Sequence, residues 1–214
     1  MLNLFPKSCS ACLGALFVAS LLMMTPQAAR AGSCASAKSY VSGVANSVTR
    51  TVANTGVGSR AREARFTRIF HSSMDIRRLG KFALGRYARK IPASQNGTYL
   101  KLLEQLVIKV FFGRLKNYRG EKYKIFETAR GCRAKGGRGS EFVVSGQIVS
   151  ASGRPMVQVD WWLVSGGRRV FDIAVEGVWL AQQQRSAFNA VLSKSGGDFN
   201  ALFTNLRGRI GRGR

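Results

Sequence analysis

Apolar residues recur at helical spacing through the first half of this chain and at alternate positions through much of the second, with the change falling near Arg119-Gly120. Tyr40, Val41, Val44, Val48 and Val52, behind Ser36, predict a helix over about 36–53. Phe66, Ile69 and Phe70 mark a second. Asp75 reads as the N-cap of a third, with Ile76, Leu79, Phe82 and Ala83 inward and a stop near Gly85. The strongest stripe runs over 95–118 through Tyr99, Leu102, Leu103, Leu106, Val107, Val110, Phe111, Leu115 and Tyr118, and predicts a fourth helix.

Beyond Gly120 the period is two. Residues 122–128, 141–150, 155–165 and 168–176 predict four strands, joined at Ser152-Gly153 and Gly166-Gly167 by turns in which glycine supplies the positive φ of a tight hairpin. Such a meander is antiparallel. Val157, Val159, Trp161 and Leu163 fall on one face of the third strand, and Phe171, Ile173 and Val175 on one face of the fourth. Helices over 182–194 and 198–206 then bring Phe188, Val191, Leu192, Phe199, Leu202 and Phe203 to cover part of the sheet. Helices, then strands, then helices define an α+β class: a four-stranded antiparallel curved sheet packed with several helices.

The first 31 residues stand apart. Lys7 gives a positive start, Ala11 to Met24 is an apolar core, and Ala29-Arg30-Ala31 is an A-x-A cleavage site, so residues 1–31 read as a cleavable signal peptide. Thr25-Pro26-Gln27 ends the apolar run short of the roughly 18–20 residues that spanning needs. Cys34 follows Ala31-Gly32-Ser33, without the large aliphatic residue of a lipidation site. The remainder, 32–206, reads as a single domain with a basic Arg/Gly tail at 207–214. Of its two cysteines, Cys34 and Cys132, the spacing leaves open whether they pair, although export would place them where disulfides persist.

Charge changes the picture further. Lys7 and Arg30 are the two cations of the leader, which has no acid, so 32 Lys and Arg face 10 Asp and Glu in the rest, a formal +22. Such a balance points to a polyanion. Export makes nucleic acid an unlikely partner and leaves an anionic membrane surface. Ten cations from Arg60 to Lys90, against Glu63 and Asp75, form the densest patch. Catalytic signals are missing: the single histidine, His71, has no nucleophile or acid at an interpretable spacing. There is no H-E-x-x-H, no Walker loop and no Cys-x-x-Cys after the leader, so no enzyme activity and no cofactor or metal are expected.

The ordered residues Phe66-x-x-Ile69-Phe70, Asp75, Leu84-Gly85-Arg86-Tyr87, Gln95, Tyr99, Phe111 and Tyr118-Arg119-Gly120 resemble the MlaC or toluene-tolerance family of periplasmic phospholipid-binding proteins. Phe171-Asp172-Ile173-x-x-Glu176-Gly177-Val178 and Arg185-x-x-Phe188 are similar to that family's pattern as well. Trp179 and Gln184 depart from it, standing where serine and tyrosine are usual. The resemblance implies an NTF2-like sheet around a lipid cavity and a soluble periplasmic carrier of phospholipid, or of a hopanoid-type lipid. Its implied partners are an inner-membrane ABC lipid transporter with a periplasmic substrate-binding subunit and an outer-membrane lipoprotein complex. Phe70, Phe82, Leu106, Val110, Phe111, Val159, Trp161, Leu163 and Ile173 are then candidates for lipid-tail contact or ordinary core. Arg86, Arg89, Lys90 and Arg185 are candidates for headgroup or membrane contact, with Arg185 equally able to pair with Asp172 or Glu176.

Overall fold

The computed structural model describes residues 32–115, 120–135 and 140–211; the leader at 1–31 lies outside them. Helix α1 spans Cys34–Ala53 and opens on a reciprocal cap, in which the Ser33 hydroxyl accepts from the Ser36 amide at 3.1 Å and the Ser36 hydroxyl accepts from the Ser33 amide at 3.0 Å. Helix α2 is Ser59–Ser73, and α3 is Ile76–Leu84. Asp75 caps α3 as expected, accepting from the Arg78 amide at 3.0 Å, and Gly85, at φ +56°, ends it. A short 3₁₀ turn, Gly85–Arg89, leads to α4, Ala93–Leu115.

The sheet has six strands where the alternation predicted four. Strands β1 (Lys122–Ile125) and β2 (Cys132–Lys135) both pair antiparallel with β3 (Glu141–Val149), which continues through β4 (Pro155–Val164) and β5 (Arg169–Val175) to β6 (Val178–Trp179). β2 escaped the sequence reading because Cys132-Arg133-Ala134-Lys135 is only four residues long and its apolar positions are one cysteine and one alanine inside a basic run; the backbone ladder to β3 defines it. β6 follows a two-residue turn at Glu176-Gly177, both at positive φ, as a tight hairpin requires. Helices α5 (Leu180–Lys194) and α6 (Phe199–Gly211) finish the described chain.

Helix α6 also moves a boundary. The tail predicted to start at Arg207 begins inside this helix: Ile210 packs on the core and its carbonyl accepts from the Lys109 ammonium of α4. Packing of the half-buried Ile210 on the core favours the helix against the weak helix propensity of Gly208.

One face of the sheet meets α1 and α2, while α3 and α5 pack against β5, and α4 lies against α2, α3 and α6. Cys34, at the start of α1, is joined by a disulfide to Cys132 at the start of β2, closing the question that spacing left open. A bulge corrects the predicted face of β5. Trp162 pairs with Asp172 and Leu163 with Val170, which leaves Phe171 as the extra residue. Phe171 therefore leaves the face of Ile173 and Val175 and stands perpendicular to Trp162, ring centroids 4.8 Å apart.

Candidate functional site

Between the concave sheet and helices α1 and α2 lies a cavity of about 340 Å³, within the range that accommodates a small organic ligand. Its helical wall is built from Val44, Ala45, Val48 and Val52 of α1, Phe66, Ile69 and Phe70 of α2, and Phe111 near the end of α4. The strands supply Tyr123, Ile148, Val157, Val159, Trp161, Val170, Ile173 and Val175. These strand residues share a side because they are partners in the ladder: Tyr123 faces Ile148, Ile148 faces Val157, Val159 faces Val175 and Trp161 faces Ile173. Gly146 makes room for this floor. A Cβ there would sit 2.3 Å from the Lys124 carbonyl and 2.7 Å from the Tyr123 ring.

Two hydroxyls along the wall are turned to the protein's own backbone. The Tyr123 hydroxyl donates to the Val159 carbonyl at 3.1 Å, and the Ser73 hydroxyl donates to the Ile69 carbonyl. Burial, reinforced by the Asp160 carboxylate and partly offset by a contact with Trp161, pushes the Tyr123 hydroxyl far above its ordinary range, so it stays neutral. Apart from Thr49, the Trp161 indole nitrogen, Glu121 and Lys122, what remains is hydrocarbon surface.

Of the candidate wall residues, Phe70, Phe111, Val159, Trp161 and Ile173 line the cavity; Phe82, Leu106, Val110 and Leu163 do not. Leu106 and Leu163 are sealed in the core, and Val110 packs on that core from α4. Phe82 stands edge-on to Phe171, 5.6 Å between centroids, on the side of β5 that the bulge turned away from the cavity. The valines of α1 were missed as wall residues because an amphipathic stripe looks the same whether it faces a core or a cavity.

The four candidate headgroup cations lie elsewhere. Arg86 and Lys90 sit over the Tyr87 ring at 5.3 and 5.7 Å, Arg89 is exposed on the 3₁₀ turn, and none lines the cavity. Arg185 lies over the Phe82 ring at 5.1 Å and bridges neither suggested acid. Those acids serve the backbone instead. Glu176 accepts from the Gln158 amide at 2.6 Å, and Asp172 accepts from the amides of Ile173 at 2.8 Å and Ala181 at 3.0 Å, the latter in the first turn of α5.

Asp172 is 2% exposed, and burial raises its pKa to about 6 against the lowering effect of those two amides and of Lys135. Because the folded value lies above the unfolded one, the folded chain binds more protons, and its stability falls as pH rises from about 4 to about 6. The loss is on the order of 3 kcal/mol. Asp172→Asn keeps an oxygen for both amides and is expected to flatten that slope, read from urea unfolding at pH 4.5 and 7; an unchanged slope would assign it to other groups.

His71 pairs with Glu104 at 2.7 Å on the outer side of α2 and α4, away from the cavity. Among the described residues no three His, Cys, Asp or Glu side chains are grouped to hold a metal, and no helix is long and apolar enough to cross a membrane.

The family model for the MlaC protein matches residues 41–208. The chain belongs to the MlaC family. Among solved structures it is similar to the phospholipid-binding protein of Ralstonia solanacearum, determined in complex with a phospholipid: 23% identity over 83% of this chain and 98% of that one, with a TM-score of 0.67. That likeness shows a shared fold of helices over an antiparallel open sheet. No curated protein matches the chain. The MlaC match begins within α1 and ends within α6, so it takes in every element that walls the cavity.

Proposed function

We propose that this MlaC-family protein is a non-enzymatic periplasmic carrier that holds the acyl chains of a phospholipid in the cavity and moves the lipid between inner and outer membranes. The observation that carries the reading is the wall itself: apolar side chains from three helices and the sheet, with its tyrosine and serine hydroxyls bonded internally. Each methylene removed from water is worth about 0.8 kcal/mol, so two long chains exposed during aqueous transfer would cost on the order of 20 kcal/mol. An enclosed apolar cavity removes that cost. A bilayer offers the tails nearly the same environment, so direction and energy must come from partners. In this reading these are an inner-membrane ABC lipid transporter with its periplasmic substrate-binding subunit and an outer-membrane lipoprotein complex.

The A-x-A leader and the Cys34–Cys132 bridge both favour an exported, oxidising location. The Ralstonia solanacearum protein of the same fold, solved with a phospholipid, supports phospholipid over other lipids as cargo. Exposed Arg60, Arg65 and Arg68 on α2, whose inner side walls the cavity, would hold the carrier transiently at an anionic leaflet, each worth about 1 kcal/mol near the surface.

Transfer between vesicles tests this. Purified mature protein is expected to move a fluorescent phospholipid from donor to acceptor vesicles at a rate proportional to protein concentration. With anionic vesicles the protein's adsorption should fall as salt rises, and reversing Arg60, Arg65 and Arg68 to glutamate should lower it further. Transfer no faster than the protein-free rate contradicts the carrier, and salt-insensitive adsorption contradicts the electrostatic contact.

A further inference from the structure

Antiparallel pairing gathers the start of β1, the turn at 150–154, the end of β5 and the Glu176-Gly177 turn at one end of the sheet. The cavity is closed at the other end and opens toward this one. Phe70, Ser73, Met74 and Val170 are buried where Met74 bridges to Val170, whereas Ile148, Val157 and Val175 are half-buried and Lys122 is exposed. Among the described residues the two exposed large apolar side chains, Met156 at 54% and Val178 at 50%, both stand at this open end. We infer that this end docks on a bilayer, with Met156 and Val178 inserted below the headgroups of an anionic leaflet, so that lipid tails pass between membrane and cavity along Val178 and Val175 without crossing water. The inference rests on the phospholipid-carrier reading above.

Single exposed apolar residues are ordinary on a protein surface. Continuity with the cavity sets this pair apart. Val178 pairs with the wall residue Val175, which pairs in turn with the wall residue Val159, so the apolar face of the cavity runs out to the edge strand along one ladder. Met156 lies on β4 directly before the wall residue Val157. Charge chooses the partner. Beyond the leader 32 Lys and Arg face 10 Asp and Glu, a balance that draws the chain to an anionic leaflet and repels a second copy of itself. The open end carries both signs, exposed Lys122, Arg154 and Glu176 with half-buried Glu121, so among its described residues the apolar pair sets which end meets the membrane.

Exposure bounds the size of the effect. Burying a whole valine or methionine side chain favours an equilibrium by roughly ten- to a hundredfold, and about half of each is already covered by the fold. Each insertion therefore strengthens docking roughly three- to tenfold, and the two together at least about tenfold. Salt separates this contribution from the arginines of α2, because apolar burial is not screened whereas exposed charges are.

The test uses the mature protein and vesicles of phosphatidylethanolamine with phosphatidylglycerol. An environment-sensitive fluorophore is attached through Met156→Cys, through Val178→Cys or, in the exposed β4–β5 turn at the opposite end, through Ser165→Cys; Cys34 and Cys132 are joined to each other and take no label. On addition of vesicles the emission should shift to the blue at 156 and 178 and stay unchanged at 165. Met156→Gln combined with Val178→Thr, close in shape but polar, should weaken vesicle binding about tenfold, by the same factor at about 0.05 M and about 0.3 M salt, and slow phospholipid transfer with it. Absence of vesicle binding, wild-type affinity in the double variant, or probes at 156 and 178 that stay in water on vesicle-bound protein would overturn the inference; the last would leave this end to a protein partner and the carrier standing. Protein that inserts both probes yet transfers no lipid would overturn the carrier reading, and the passage of tails with it, while the docking remained.

Discussion

Ile173→Glu is expected to lower the lipid that co-purifies with the mature protein at least tenfold while leaving a folded chain. Ile173 is half-buried, faces Trp161 across the β4–β5 ladder and lines the cavity. An ionised carboxylate held against hydrocarbon without a partner costs several kcal/mol, and each 1.4 kcal/mol is a factor of ten in affinity. Folding is affected less than binding, because without a lipid tail the cavity admits water to hydrate the carboxylate. Leu163→Glu, on the same strand system but sealed in the core away from the cavity, should instead prevent folding. Ile173→Leu, which keeps the apolar surface, should keep the lipid. Circular dichroism and extracted lipid per protein, measured on all three variants, separate the two roles; normal lipid in folded Ile173→Glu protein would contradict the wall assignment.

Replacing both cysteines, Cys34→Ser with Cys132→Ser, is expected to destabilise the fold by up to about 4–5 kcal/mol. The bridge joins residues 98 apart, and the chain-entropy account scales stabilisation with the length of the closed loop. For a domain of this size such a loss lowers the unfolding midpoint by on the order of 10 °C. Position matters as well as length. The bridge fastens the first turn of α1, whose later turns form the cavity wall, to strand β2 at the sheet edge. Reduced wild-type protein should match the double variant in thermal unfolding. A midpoint unmoved by reduction would show that packing alone holds α1 in place.

Much of the architecture was legible because local chemistry and tertiary packing agree. Asp75 and Gly85 delimit α3 by capping and positive φ, and the period change at Gly120 separates the helices from the strands. The family, too, was readable from residues spread over the domain, since fold-defining positions survive where no single motif is diagnostic. The failures have specific causes. Phe171 alternates correctly with Ile173, but a single inserted residue in the β4–β5 ladder turns it to the other face, and a bulge leaves no mark in the hydrophobic pattern. β2 is too short to show an alternation, and its ladder to β3 defines it. Leu163 and Ile173 look equivalent as buried apolar strand residues; only the position of α1 and α2 above the sheet decides that one is core and the other cavity wall. Arg86 and Arg185 matched a pattern, yet they lie over the Tyr87 and Phe82 rings outside the cavity, while Glu121 and Lys122, which do line it, had no sequence signal beyond being adjacent.

Mass spectrometry of an organic extract of the mature protein, purified from its exported fraction without detergent, tests the central claim most directly. The carrier account predicts two-chain phospholipid in stoichiometric amount; a hopanoid recovered instead would keep the carrier and change its cargo. Repeated recovery of folded protein with no lipid would contradict the account and reduce the cavity to a packing feature of a basic surface-binding protein.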